Sequence, residues 1–198
     1  MQILSISIGK AQRLFGIDHP NYESVLSGIN KSPVSTIENP LPIAINKLGA
    51  EGDEQADLEV HGGIEKALYA YPVEHYEFWQ SKYTEETGQL ASWHHGQFGE
   101  NLTISGITEA DVFVGDTWMI GDVILRVVKL REPCFKFNAK MGFKTAAKTM
   151  VQTAKSGWYL SVIQTGFIKA GDPIMIQSGE RTINITQQNQ RLLSKYKT

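Results

Sequence analysis

The chain has 198 residues, 41% of them hydrophobic, with 19 Lys and Arg against 21 Asp and Glu and a formal net charge of −2. That length supports one domain with a core of its own, and the slightly acidic balance argues against a general nucleic-acid binder, which carries a basic bias. The single cysteine cannot form an internal disulfide, no apolar run approaches the roughly 18 residues of a membrane span, and MQILSISIGKAQ lacks a basic leader and an A-x-A site. A cytoplasmic protein with no membrane and no nucleic-acid partner is therefore expected.

Taken in order, Leu4, Ile6 and Ile8 alternate with Ser5 and Ser7, the period of a strand. Residues 10–41 carry Pro20, Pro33 and Pro40 among polar residues and read as turns and short edge strands. PIAINK (42–47) reads as a strand. Five acids between Glu51 and Glu59 match no calcium-loop spacing and read as a solvated loop. His61, Gly62 and Gly63 follow, with Lys66 close behind. Consecutive amides in such a turn can form an anion-binding concavity, the alternative being a plain glycine turn between strands.

ALYAYP reads as a strand ended by Pro72. Val73, Tyr76, Trp79 and Tyr83 recur at helical spacing over 73–86, with His75 on the same helix in a packing or surface role. His94 and His95 are adjacent, so they point apart and make a poor chelate. Gly99, Glu100 and Asn101 place acceptor and donor groups beside a glycine, suited to the edge of a polar heterocycle or simply to a polar turn. LTISG then reads as a strand and TEADVF as a short helical turn.

Gly-Asp pairs at 115–116, 121–122 and 171–172 separate β-rich runs, and short strands at close spacing point to a barrel. One helix interrupts them: Phe143, Ala146, Ala147, Met150, Val151 and Ala154 share a face that Gly157 is expected to end. Trp158–Gln164 returns to strand. A final helix is expected from a Thr186 cap, with Ile185, Leu192, Leu193 and Tyr196 on one side.

The richest stretch is REPCFKFN, Arg131 to Asn138. It sets the lone Cys134 between Arg131 and Lys136, with Pro133 fixing φ just ahead of it. Positive charge nearby favours a thiolate, the form that acts as nucleophile or soft-metal ligand. Against this, a free cysteine is often only a small buried hydrophobe. No dinucleotide fingerprint, P-loop, nucleophile elbow, H-E-x-x-H or C-x-x-C motif occurs.

EVHGGIEKALYAYPVEHY, FGENLTISGITE, VGDTW, IGDVILRVVKLREPCFKFN and SGWYLSVIQTG, in this order, resemble the MOSC domain family. Within it the chain is most similar to bacterial 6-N-hydroxylaminopurine-resistance proteins, the resemblance running from about residue 5 to residue 178. It implies a mostly β (α+β) fold: a closed or partly closed barrel with peripheral helices. The whole chain, 1–198, would be one MOSC domain, with barrel core over about 5–178 and a helical tail over about 186–197. The resemblance further implies the molybdenum cofactor (Mo-molybdopterin), with Cys134 as catalytic residue and protein ligand to molybdenum. His61, Gly62, Gly63, Lys66, Gly99, Glu100, Asn101, Arg131, Lys136 and Asn138 are candidates to hold the pterin and its phosphate.

The resistance proteins continue into a further helical region, so part of the partner or substrate surface is expected to differ here. No C-x₄-C-x₂-C motif is present, so electrons are expected from a separate flavin or iron-sulfur reductase. The implied activity is reduction of small N-hydroxylated substrates such as hydroxylaminopurine bases to amines, a detoxification, by a chain acting alone or as a homodimer. The alternatives are a carrier of the cofactor or of sulfur without turnover, and a cysteine hydrolase pairing Cys134 with His61.

Overall fold

In the computed structural model, described for residues 1–21, 23–56 and 62–195, short strands dominate the first third of the chain, and strands and helices are interspersed through the rest. The chain opens with β1 (Gln2–Ile8), β2 (Gln12–Arg13), β3 (Leu26–Ser27), β4 (Ser32–Thr36), β5 (Ile43–Asn46) and β6 (Gly49–Ala50). A 3-10 turn at Ile64–Lys66 leads into β7 (Leu68–Pro72), and a second at Val73–His75 into α1 (Tyr76–Thr87). Next come β8 (Leu102–Ser105), β9 (Thr117–Ile120), β10 (Val123–Leu130), α2 (Phe135–Met141) and α3 (Ala146–Thr153). The chain finishes with β11 (Trp158–Gln164), β12 (Gly166–Ile168), β13 (Met175–Gln177) and α4 (Ile185–Lys195).

Eight strands form one curled sheet in the order β13-β9-β10-β11-β7-β8-β1-β4, antiparallel except for the β7–β8 pair. The sheet comes round on itself ahead of β13. The Ile3 amide donates to the Asp172 carbonyl at 3.1 Å, the Ile174 amide donates to the Met1 carbonyl at 3.2 Å, and Gln2 bridges Pro173. These contacts satisfy edge groups that an open sheet would present to other chains. Gly121 and Asp122 make the tight turn from β9 to β10, one of the Gly-Asp turns read from the sequence.

β7 is buried along its whole length because it separates two cores. Leu68 and Ala70 face the barrel interior with Ile3, Ile6, Leu102, Trp118 and Trp158. Tyr69 and Tyr71 face the other way, into an aromatic cluster with Trp79 of α1, Phe98 and Phe137 of α2. This double burial accounts for the unbroken apolar run of LYAY. The phenols are satisfied at depth: Tyr69 donates to the Ser156 carbonyl at 2.7 Å and Tyr71 to that of Lys155 at 3.0 Å, while the Trp79 indole donates to the Tyr71 oxygen at 2.6 Å.

TEADVF forms the single turn expected, the Asp111 amide donating to the Thr108 carbonyl at 3.0 Å; its Glu109 is drawn inward, 2.7 Å from Nε2 of buried His75, and accepts the Gly157 amide at 2.7 Å. The helices depart from the sequence reading in three places. α2 is an additional element. α3 ends at Ala154, whose φ of +56° closes the helix, rather than at Gly157. The cap of α4 is Asn184, not Thr186: the Asn184 side chain accepts the Gln187 amide at 2.8 Å and the Gln187 side chain accepts the Asn184 amide at 2.9 Å, a reciprocal arrangement. Ile185 is fully buried and Leu192 packs on the barrel core, as expected of one face, whereas Tyr196 lies outside the described residues. Among the described residues no helix is long and apolar enough to cross a membrane.

Gly157 instead serves a close approach. Its φ is +61°, and a Cβ there would lie 2.4 Å from the Ala70 carbonyl oxygen and 2.8 Å from both tyrosine rings of β7. Gly157→Ala is therefore expected to lose about 2–4 kcal/mol of unfolding free energy through strain and overlap together. Urea denaturation measures this, and an unchanged midpoint would mean that β11 can shift without disturbing β7.

Candidate functional site

The strand that carries REPCFKFN toward the cysteine stops at Leu130. The Arg131 amide still donates to the Gly157 carbonyl at 3.2 Å, holding Arg131 beside β11. Pro133 then turns the chain, and Cys134, with φ −128° and ψ −175°, becomes the residue from which α2 starts; its carbonyl accepts the Phe137 amide at 2.9 Å. The thiol is half-buried. It lines an open cleft of about 110 Å³, smaller than the roughly 300–1,000 Å³ of enclosed small-molecule sites.

Segments far apart in sequence build this cleft. Ser27, Gly28, Ile29 and Lys31 come from β3 and the link to β4, and residues 53–56 from the acidic loop after β6. Lys66 and Tyr69 lead into and along β7, Gly99 and Asn101 precede β8, and Arg131, Glu132, Cys134 and Lys136 follow β10, with Tyr159 of β11 completing the lining. Lys136 donates across to the Leu26 carbonyl at 3.0 Å and so ties α2 to β3.

Charge is unevenly satisfied in the cleft. Asp53 is paired with Lys31, both side chains less than a tenth exposed, and also accepts the Gly9 amide at 2.8 Å and the Asn101 side-chain amide at 2.9 Å. Burial holds the Lys31 ammonium below its usual pKa, although Asp53 pulls the other way. Glu54 is taken by Lys10 at 2.9 Å and by the Ala11 amide. Arg131 is different. It is 6% exposed, its guanidinium lies 4.6 Å from the Phe137 ring centroid and 5.2 Å from that of Tyr69, and it points one nitrogen at the Met150 sulfur, 3.4 Å away. Among the described residues no carboxylate stands within ion-pair distance of it. The neighbouring phenols do not supply the missing negative charge: burial pushes Tyr69 and Tyr159 up, outweighing the pull of Arg131 in the opposite direction. A buried cation stacked on aromatic faces and open to a cleft is set to receive an anion.

The residues singled out in the sequence are divided among three places. Cys134, Arg131, Lys136, Lys66, Gly99 and Asn101 are brought together on the cleft. Glu100 lies behind it, its carboxylate accepting the Gly96 amide at 2.8 Å, the Phe98 amide at 2.9 Å, the Thr103 hydroxyl at 3.0 Å and the Tyr76 hydroxyl. Asn138 faces α3, where its side-chain oxygen accepts the Ala147 amide at 2.7 Å. Gly62 is buried outside the lining. Gly63 has a φ of +89°, and its amide donates to the Gln55 side chain at 2.7 Å, so that glutamine pins the turn. His61 lies outside the described residues, and among the others no histidine lines the cleft. His94 and His95 are occupied elsewhere, with His94 Nδ1 2.6 Å from the His95 carbonyl and the His95 ring edge-on to Tyr76.

Asp53, Lys31, Tyr69 and Tyr159 were not singled out as site residues. Asp53 corrects the reading of the acidic loop as wholly solvated: three donors converge on it from distant segments. Among the described residues no group of three or more His, Cys, Asp or Glu gathers as a protein metal cage.

The sequence model of the MOSC domain matches residues 57–175. The chain is 36% identical over 157 residues to Protein YiiM of Escherichia coli (strain K12), covering 79% of this chain and 68% of that protein. It is 32% identical over 155 residues to a protein of Gibberella moniliformis named Reductase, covering 78% of this chain and 27% of that protein. The crystal structure of YiiM from Geobacillus stearothermophilus superposes with a TM-score of 0.75 at 31% identity, covering all of this chain and 86% of the other.

If the Lys31–Asp53 pair anchors the cleft floor, Asp53→Asn strands a buried ammonium and is expected to cost about 3–5 kcal/mol, with Lys31→Met on top of it recovering a substantial part. A double-mutant cycle by chemical denaturation reads this directly. Additive losses would show that the two side chains are anchored separately.

Proposed function

Because the chain belongs to the MOSC domain family, we propose that it is a molybdenum-cofactor-dependent reductase of N-hydroxylated compounds, turning hydroxylaminopurine-type bases into amines. The observation that carries this reading is the buried guanidinium of Arg131, without a carboxylate partner among the described residues, on the same cleft wall as the only thiol. The donor set fits a molybdopterin. A cofactor that contributes dithiolene sulfurs of its own needs a single protein thiolate, which Cys134 offers, and its anionic phosphate needs cations, which Arg131, Lys66 and Lys136 offer.

When bound, the cofactor supplies the two electrons and the metal position at which an N–O bond is reduced. The chain's own residues do the rest. The backbone of Cys134 is held at the start of α2 by the bond from the Phe137 amide to its carbonyl, which fixes where the side chain leaves the chain. Arg131 lies over the Tyr69 and Phe137 rings, with one nitrogen on the Met150 sulfur, and its remaining donors could meet an anion from the cleft. Asn101 and Asp53 keep the floor rigid through their own hydrogen bonds. These 198 residues hold one cysteine and no dinucleotide fingerprint, which supports delivery of the electrons by a separate protein. The name of the Gibberella moniliformis relative supports a reductase over a carrier that only holds the cofactor.

Two outcomes follow for purified protein from a cofactor-competent host. Cys134→Ala and Cys134→Ser should keep the parent melting temperature within about 2 °C, since a half-buried thiol contributes little packing, while molybdenum content falls at least about tenfold. Metal retained in Cys134→Ala would sink the assignment of the thiol. With reduced viologen as donor, the loaded parent should convert a hydroxylaminopurine to its amine and the metal-free protein should not. A loaded sample that reduces none of a panel of hydroxylaminopurines, amidoximes and hydroxylamines, yet passes its cofactor to an apo-enzyme, would identify a carrier instead.

A further inference from the structure

The chain carries no Asp or Glu from Pro133 to Gly171 but six lysines, leaving 21 acids against 13 bases in the remainder. A protein of net charge −2 has thus gathered its positive charge into one segment, and four of those lysines follow one another closely: Lys136 and Lys140 on α2, Lys144 in the turn between the helices and Lys148 on α3. Lys136 is engaged at the cleft, and Lys140 lies one helical turn further along the same face of α2. Lys144 and Lys148 are exposed. Among the described residues none of Lys140, Lys144 and Lys148 has a carboxylate within ion-pair distance. The nearby carboxylates are otherwise occupied: Glu86 is bound by Lys82 at 2.9 Å and Thr145 at 3.2 Å, Glu85 by Lys82 at 3.1 Å, and Glu100 is buried with four donors of its own.

A solvated helix face usually mixes both signs, as an all-lysine face repels itself and is stabilised by an opposite charge from outside. α2 begins at the residue after Cys134, and its seven residues span only about 10 Å, so a partner seated on this face lies close to the thiol. We propose that the lysine-rich surface of α2, α3 and the turn between them is the docking surface for an acidic one-electron carrier protein, which delivers electrons to the centre at Cys134. This rests on the reductase reading, which needs an external donor. Nearness to the redox site is what favours such a carrier over nucleic acid or an anionic membrane.

The test uses an acidic plant-type [2Fe-2S] ferredoxin as probe, titrated into the full chain with and without cofactor. Binding is expected at low ionic strength and should weaken about tenfold or more between 50 and 200 mM salt, as a steered charged contact does. Lys140→Glu, Lys144→Glu and Lys148→Glu combined should weaken it at least about tenfold, with viologen-driven turnover unchanged. The milder combination of Lys140→Gln, Lys144→Gln and Lys148→Gln should give a smaller loss in the same direction and covers the case in which charge reversal impairs folding. Unaltered ferredoxin affinity in a folded variant would overturn the proposal, as would no salt-sensitive binding by the parent. A face that binds duplex DNA or anionic vesicles more tightly than ferredoxin would overturn it in favour of those partners. Failure of viologen turnover in the loaded parent would count against the reductase reading alone, because ferredoxin binding is measured independently of it.

Discussion

The side chain of Asn101 holds the cleft floor together. It sits just before β8, between the two strands that flank β8 in the sheet. Its backbone amide donates to the Tyr69 carbonyl at 2.8 Å and its carbonyl accepts the Ser7 amide at 2.8 Å. The side chain repeats the pattern, accepting the Tyr69 amide at 3.1 Å and donating to the Ser7 carbonyl at 3.2 Å and to Asp53 at 2.9 Å. One residue thereby joins β1, β7 and the acidic loop in a buried place where each unpaired group would cost about 1–3 kcal/mol. The parallel β7–β8 pair, the course of β1 and the inward turn of Asp53 all meet at this amide.

The position of the cleft follows from β7 dividing two cores. An aliphatic barrel on one side and an aromatic cluster on the other leave their shared rim between them, and Tyr69 on that rim faces both the cluster and the cleft. Arg131 can be buried there only because the surrounding groups are rings. A guanidinium loses less by stacking on aromatic faces than by facing aliphatic carbon, and it keeps its edge available for a ligand. The same positive group among aliphatic side chains of the barrel would have called for a carboxylate beside it, and among the described residues Arg131 has none.

This division explains which parts were legible in the sequence. β1, β5, β7, β8, β10 and β11 announced themselves through apolar runs between turn residues, and α1 and α3 through helical spacing, because these signals are local. The barrel and the cysteine between two cations were legible for the same reason. α2 was not: its seven residues lack a side-chain cap, and a helix that short is marginal by itself. It exists because Phe137 and Met141 enter the aromatic core and the Asn138 side chain holds the Ala147 amide. Asp53 was equally hidden among five acids. Its distinction comes from Gly9, Lys31 and Asn101, which lie 44, 22 and 48 residues away, and no window of sequence contains that convergence.

The roles of the HGG and GEN stretches illustrate a related limit of local reading. Glycine next to polar side chains signals backbone freedom and hydrogen bonding, and says nothing about which way the polar groups turn. In GEN, Glu100 turns inward to gather the Gly96 and Phe98 amides with two hydroxyls, and its neighbour Asn101 turns to the strands, so that together they hold the loop whose backbone forms part of the cleft. Gln55 performs a similar service at Gly63, reaching from the acidic loop to its amide and also to the Leu48 and Lys66 carbonyls. These two loops are thus secured by side chains buried behind them or borrowed from another loop. Exposed backbone and cations can then meet a ligand in a fixed arrangement, without the ordering entropy that mobile loops would lose on binding.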